Sequence, residues 1–320
     1  MSLSRLPTSQ DATLRLRIAG VTARIDGLSS RIRADMFALL RPFVVAEDES
    51  FPAPAEVEIA LRWSPAAASD ATLDRDEAAL EDDAGGESGE EIGEWAAWAD
   101  GEQVFRTGVY ERLLRRLEWE VVSRSVELAR DWLAWHAASL AWEGRALLLI
   151  GASGAGKSTL TTALARRGWL PLADDLTLLD PQTGTLAPFP RCFHVAAMDG
   201  VWAASASALT WPTLALPDYA RPRHWARAGD APTWIVVIGR DTTQPTRLTP
   251  LSQAQAAGAL FGATVHTAST ASAARLAATV AGASAGCWEL NNNDLETALD
   301  LLTTTLLNPS AGQMERSRPW

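Results

Sequence analysis

The chain has 320 residues, 47% of them apolar, and a formal net charge of −11, which suits one large or two modest globular domains. No apolar run approaches the roughly 18–20 residues needed to cross a bilayer, and the N-terminus has no long apolar stretch of the secretory type, so a cytoplasmic protein without a membrane span is expected. Eleven acids against one base, Arg75, lie between Asp70 and Glu94, leaving the rest near neutral, and no basic run or interleaved aromatic stripe points to nucleic acid as a partner.

Residues 1–65 read as a small β-rich unit. Leu14–Ile18, Val21–Ile25 and Val57–Trp63 alternate apolar and polar side chains, and Ser30–Leu40 reads as a short helix ended by Pro42. Residues 66–94 are rich in Ala, Asp, Glu, Gly and Ser and read as an acidic flexible loop; the sharper alternative is a docking surface for a basic partner. Residues 95–310 are expected to form the second, larger domain, with 311–320 as a tail.

Within 95–310, Val109–Trp135 has helical periodicity, and His136–Trp142 and Ala146–Ile150 read as strands joined by the turn Glu143-Gly144-Arg145. Ser158–Arg167 reads as a helix, with Gly168 placed for a left-handed cap. Strands follow at Trp169–Ala173, Leu176–Leu179 and Trp234–Gly239, and helices at Leu251–Ala268, Ser269–Val280 and Asn293–Leu307, the last behind a capping cluster Asn291–Asp294. Cys192 and Cys287 have no metal-ligand spacing and are read as reduced core thiols.

The sharpest signal is Gly151-Ala152-Ser153-Gly154-Ala155-Gly156-Lys157-Ser158, which matches G-x-x-x-x-G-K-[ST] between a strand and a helix. The glycines allow backbone angles that turn successive N–H groups inward around an anion, and the helix that follows points its positive end at the same place. These residues, with Thr159, are expected to bind the phosphates of a nucleoside triphosphate, with Lys157 on the β- and γ-phosphates and the Ser158 hydroxyl on Mg²⁺. Lys157 is the single lysine among 28 basic Lys and Arg residues. A compact ammonium fits between phosphate oxygens where a guanidinium does not.

Asp174 and Asp175 follow Lys157 by less than twenty residues, at the end of Leu170–Ala173. A strand adjacent to the phosphate-loop strand would carry both carboxylates to the edge where the triphosphate lies. Two carboxylates there can divide labour, one assisting Mg²⁺ and the other accepting the proton of an attacking hydroxyl.

The stretch from Trp135-His136, through Gly151–Ser158, to Arg167-Gly168 and Ala173-Asp174-Asp175 resembles the C-terminal domain of the HPr kinase/phosphorylase family. The resemblance implies an α/β P-loop kinase domain of the HPr kinase and PEP-carboxykinase-like type, here behind a small N-terminal β-rich domain. It implies ATP and Mg²⁺ as cofactors, Asp174 as general base, Asp175 in support of the metal and His136 beside the reacting phosphate. Thr159 stands where HPr kinases carry glutamate, and the family's downstream Glu-x-Arg-Gly-x-Gly loop is replaced by Pro188–His194. The chain resembles HPr-kinase-related or peptide-serine kinases more than a true HPr kinase, and HPr is not the expected substrate.

The expected activity is transfer of the γ-phosphate to a serine or other hydroxyl of a peptide or protein, with oligomerisation left open. The alternatives are a regulatory nucleotide-binding or ATPase module without a phosphoacceptor, and a small-metabolite kinase. Arg191, His194, Arg221, Arg223, His224 and Arg240 are candidates for holding γ-phosphate charge or a substrate, and His266 is expected in a helix.

Overall fold

The computed structural model describes residues 12–46, 49–51, 54–65, 93–194, 219–220, 222, 224–227, 229–267 and 269–307. The acidic segment and the tail fall largely outside these residues. The chain divides into two compact units, residues 1–37 with 43–125, and residues 38–42 with 126–320.

The first unit is built on β1 (Ala12–Ile18), β2 (Val21–Leu28), α1 (Ser30–Leu40), β3 (Val57–Pro65), β4 (Gly93–Ala99), β5 (Glu102–Thr107) and α2 (Tyr110–Leu128). Its five strands form one sheet in chain order, antiparallel except for the β2–β3 pair. Leu14, Leu16 and Ile18 are buried while Arg15 and Arg17 are exposed, as the alternation requires. Ala19-Gly20 and Asp100-Gly101 close two-residue hairpins with all four residues at positive φ, the turn whose twist matches that of the strands. The boundary expected at 95 is corrected: β4 pairs with β3 from Pro65↔Gly93 to Ile59↔Ala99, so residues 93–125 belong to the first unit. The expected helix over Val109–Trp135 ends at Leu128, and its last residues form a strand of the second unit.

The second unit contains, in order, β6 (Leu133–Trp135), β7 (Ala137–Trp142), β8 (Arg145–Gly151), α3 (Lys157–Arg166), β9 (Leu170–Ala173), β10 (Thr177–Leu179), β11 (Leu186–Ala187), β12 (Phe193–His194) and β13 (Tyr219–Ala220). Then come β14 (Pro232–Gly239), β15 (Arg247–Pro250), α4 (Gln253–Gly262), β16 (Thr264–His266), α5 (Thr270–Ala283), β17 (Gly286–Asn291) and α6 (Leu295–Leu307). The main sheet has the order β15-β17-β14-β8-β7-β9, with β17, β14 and β8 parallel. A four-stranded sheet has the order β11-β10-β6-β16.

Both faces of β8 are covered, which is why Ala146–Ile150 is an unbroken apolar run. Leu148 and Ile150 enter one core with Ala256 and Leu260 of α4 and Ala273, Ala277 and Val280 of α5. Leu147 and Leu149 enter the other with Leu160 and Leu164 of α3 and Leu299, Leu302 and Leu306 of α6. This second core also holds Trp142, Trp169 and Trp234, whose rings lie 5.4 Å and 5.8 Å apart in succession. Gly168 takes the left-handed φ expected of it, 99°, and a Cβ there would stand 3.2 Å from Trp142. Cys192 and Cys287 are buried thiols.

Two expectations are corrected here. The helix over Leu251–Ala268 stops at Gly262, and Thr264–His266 pair with β6 instead, so His266 lies on a strand. Sheet pairing of a β-branched Thr-Val pair outweighs the helical run before it. In addition, β9 is not adjacent to β8. The antiparallel β7 lies between them, which makes β9 parallel to β8 and still brings the ends of both strands to one edge.

Candidate functional site

The loop Gly151–Gly156 links the C-terminal end of β8 to α3. Gly151 cannot carry a side chain, because a Cβ would stand 2.8 Å from the Ile238 carbonyl oxygen of β14. Gly154 and Gly156 have φ of 78° and 97°, the left-handed region that glycine enters without steric penalty. Gly156 precedes α3 directly, and no side chain caps that helix, so the N–H groups of its first turn are open to an outside acceptor. Ala152, Ser153 and Gly154 are exposed, while Ala155, Ser158 and Thr159 are half-buried.

Lys157 is buried under this loop. Its Nζ donates to Gly151 O at 2.8 Å and Ala152 O at 3.3 Å and lies 2.9 Å from His136 Nε2. Burial lowers its pKa, against the opposing attraction of Asp175 and Asp174. His136 precedes β7, and its Nδ1 lies 3.2 Å from Asp175 Oδ1. These partners assign the tautomer: Nδ1–H donates to the carboxylate and Nε2 accepts from the ammonium. Lys157, His136 and Asp175 thus form one continuous polar chain.

Asp174 is the last residue before the turn that ends β9. It is 2% exposed, accepts a hydrogen bond from the Ser158 hydroxyl, and has one carboxylate oxygen, Oδ1, without a protein partner among the described residues. Burial pushes its pKa up to about 7, with the Ser158 hydrogen bond opposing, the Asp175 charge adding to the rise, and Arg191 and Lys157 opposing. Asp175 turns the other way because the chain reverses there: its φ is 65°, and Leu176 N–H closes a three-residue turn onto Asp174 C=O at 2.8 Å. Its side chain remains 53% exposed.

The structure therefore brings together all the residues expected to do chemistry: His136, Lys157, Ser158, Asp174 and Asp175. Of the further polar candidates, Arg191 has a charge that acts on Asp174. Phe189 bridges Ala173 in parallel register, and its N–H donates to Leu172 O at 2.7 Å, which carries Arg191 along β9 toward the aspartates. His224 and Arg240 are exposed; Arg221, Arg223 and the side chain of His194 lie outside the described residues. Sequence reasoning did not assign Asn292 a place at the site, yet its Nδ2 lies 2.9 Å from the point a Gly156 Cβ would occupy.

The arrangement is a strand, a glycine-rich loop and an uncapped helix, flanked by a buried carboxylate–hydroxyl pair and a lysine–histidine–carboxylate chain. No family model matches the chain, and no curated protein matches it. Among solved structures it is similar to the Hpr(Ser) kinase/phosphatase from Coxiella burnetii, at 14% identity over 57% of this chain and 98% of that one, with a TM-score of 0.27. No helix among the described residues is long and apolar enough to cross a membrane.

Proposed function

We propose that the second unit is an ATP- and Mg²⁺-dependent kinase that transfers the γ-phosphate to a serine or other hydroxyl of a peptide or protein. The observation that carries this reading is the convergence on one loop of uncapped helix amides, the buried Lys157 ammonium and the two aspartates. Loop amides and the positive end of α3 suit the β- and γ-phosphates, and Lys157 needs only to exchange carbonyl oxygens for phosphate oxygens. The sequence resemblance to HPr-kinase-related proteins points the same way.

The donor set fits Mg²⁺. Among the described residues no cluster of three His, Cys, Asp or Glu could hold a metal unaided. Mg²⁺ at nucleotide sites relies instead on phosphates, water and one or two protein oxygens. The unpartnered Asp174 Oδ1 beside the Ser158 hydroxyl supplies such oxygens. Bound there, the cation would neutralise charge on the β- and γ-phosphates.

Burial then favours a division of labour opposite to that expected from the resemblance. Asp174, enclosed and bonded to Ser158, would hold the metal. Asp175, half-exposed and braced by His136, would accept the proton of the incoming hydroxyl while Lys157 neutralises the transferring phosphoryl group. The open face of Ala152–Gly154 and Asp175 supports an acceptor delivered from outside, as on a peptide.

The test is transfer of labelled γ-phosphate to hydroxyl-bearing peptides with Mg²⁺ present. Transfer is expected from the wild type and not from Lys157→Ala. Nucleotide uptake with no labelled acceptor would leave a binding module, and no uptake at all would remove the reading entirely.

A further inference from the structure

The loop Gly151–Gly156 has two flanks, because β8 lies inside the sheet. His136, Asp174 and Asp175 come from the β7–β9 side. On the opposite side, β14 and then β17 end in loops whose chemistry the proposed kinase reading has not used. Three consecutive asparagines follow this edge, Asn291, Asn292 and Asn293.

Their side chains divide. Asn291 and Asn293 clamp the loop after β14. Asn291 Nδ2 donates to Asp241 O at 3.1 Å and Pro245 O at 3.0 Å, and Asn291 Oδ1 accepts from Asp241 N–H at 2.7 Å. Asn293 Nδ2 donates to Asp241 O at 2.5 Å and Gln244 O at 2.6 Å. Asn292 faces the other way. Its backbone N–H is fixed to Gly239 O at 2.9 Å, and its carboxamide is aimed at Gly156. That side chain has no hydrogen-bond partner among the described residues, although the carboxamide nitrogens of both its neighbours are engaged. A rigid mount thus holds one free amide, a donor and an acceptor together, against the glycine that opens α3.

We propose that Asn292 binds the nucleoside side of the nucleotide, at the ribose, and so fixes which way the triphosphate lies in the loop. This inference rests on the kinase reading. The γ-phosphate must lie on the flank that holds Lys157, His136 and the aspartates. The nucleoside must then leave on the β14–β17 flank, over Gly156 and past Asn292, at the carboxyl ends of the strands where open α/β sheets bind ligands. The absence of a Cβ at Gly156 leaves room for the amide and the ligand together.

Three ligands separate the possibilities: Mg²⁺-ADP, Mg²⁺-ATP and inorganic triphosphate, each titrated calorimetrically. Asn292→Ala is expected to weaken ADP and ATP by about tenfold or more, the worth of a hydrogen bond to a charged or polar ligand group. Triphosphate, which has no nucleoside, should bind the variant within about twofold of wild type, and this also shows that the variant is folded. Asn292→Asp should weaken both nucleotides further, because a carboxylate repels the α-phosphate. Unchanged ADP affinity in both variants would overturn the proposal, as would an equal loss of ADP and triphosphate. A wild type that binds neither ligand refutes the kinase reading itself, a result distinct from either.

Discussion

Asp174 and Asp175 are neighbours in sequence with opposite environments: Asp174 is closed in on Ser158 with one oxygen unpartnered, and Asp175 stands half-exposed against His136 Nδ1. The reversal at Asp175, with φ of 65°, is what separates them. An extended chain would send the two side chains to opposite faces of a sheet; the tight turn sends them to opposite sides of one site.

Asp174 should make stability depend on pH in an unusual direction. Its carboxyl is raised from 3.8 to about 7 by burial, so the folded protein holds the proton more tightly than the unfolded chain. Its contribution is therefore fully present below about pH 4, declines as the pH rises to about 7, and stays lost above that. Asp174→Asn removes the ionisation. The variant should be more stable than wild type at pH 8, by up to about 4 kcal/mol, with the gap closing toward pH 4. Denaturant melts of both proteins across this range measure it, and a gap that widens on acidification would refute the assignment.

The same carboxylate should govern the response to metal. At pH 8, Mg²⁺ with ADP at about 100 times its dissociation constant should stabilise the wild type by about 2.7 kcal/mol. EDTA should abolish the Mg²⁺-dependent part of that gain. In Asp174→Asn, ADP should stabilise equally with Mg²⁺ and with EDTA. Thermal melts under the four conditions decide this, and an intact Mg²⁺ increment in the variant would place the cation elsewhere.

Much of this site was legible in the sequence because its parts are local. Gly151–Ser158 carries its own backbone requirements, and the short apolar run Ala146–Ile150 before it, bounded by the Glu143-Gly144 turn and Gly151, suits a covered strand. The end of β9 was legible too, but not its neighbour: strand order depends on which edges meet in space, and β7 intervenes. Nor does adjacency in sequence reveal that Asp174 is enclosed and Asp175 open. The contact between Lys157 and His136 crosses between separate segments, and no spacing rule announces it. Asp100-Gly101 is a strong hairpin signal that joins Trp95–Ala99 to Glu102–Thr107, but the pairing of β4 with β3 that places both in the first unit spans the acidic segment and carries no local signal. In the Asn291–Asp294 cluster only Asp294 behaves as a cap, accepting from Thr297 N–H at 2.8 Å; Asn291 and Asn293 serve the loop after β14 instead.

The tryptophan layer beneath α3 should be needed for stability and dispensable for ligand chemistry. Trp169 is 1% exposed and packs between Trp142 and Trp234. Trp169→Ala should destabilise the second unit by about 3–5 kcal/mol through the cavity it leaves. Trp169→Phe should lose less and keep nucleotide affinity within about twofold. Chemical denaturation with ADP titration below the transition tests both. A large fall in affinity for a folded Trp169→Phe would tie this core to the site in a way that packing alone does not supply.

The pair His136 and Asp175 should act on the rate rather than on nucleotide binding. Nδ1–H is held by Asp175, which leaves Nε2 as the acceptor facing the Lys157 ammonium. Asp175→Asn removes the charge and the proton acceptor at nearly constant shape, and its amide can present N–H to the imidazole, favouring the wrong tautomer. The expected result is a fall in kcat of about 10²–10⁴-fold, the usual range for a lost general base, with ATP affinity changed by less than about threefold. His136→Gln should keep an acceptor for Lys157 and lose the link to Asp175, giving a smaller fall in kcat. Steady-state kinetics with varied ATP separate these effects. A rise in KM for ATP with kcat unchanged would show that the pair serves binding and that the proton leaves by another route.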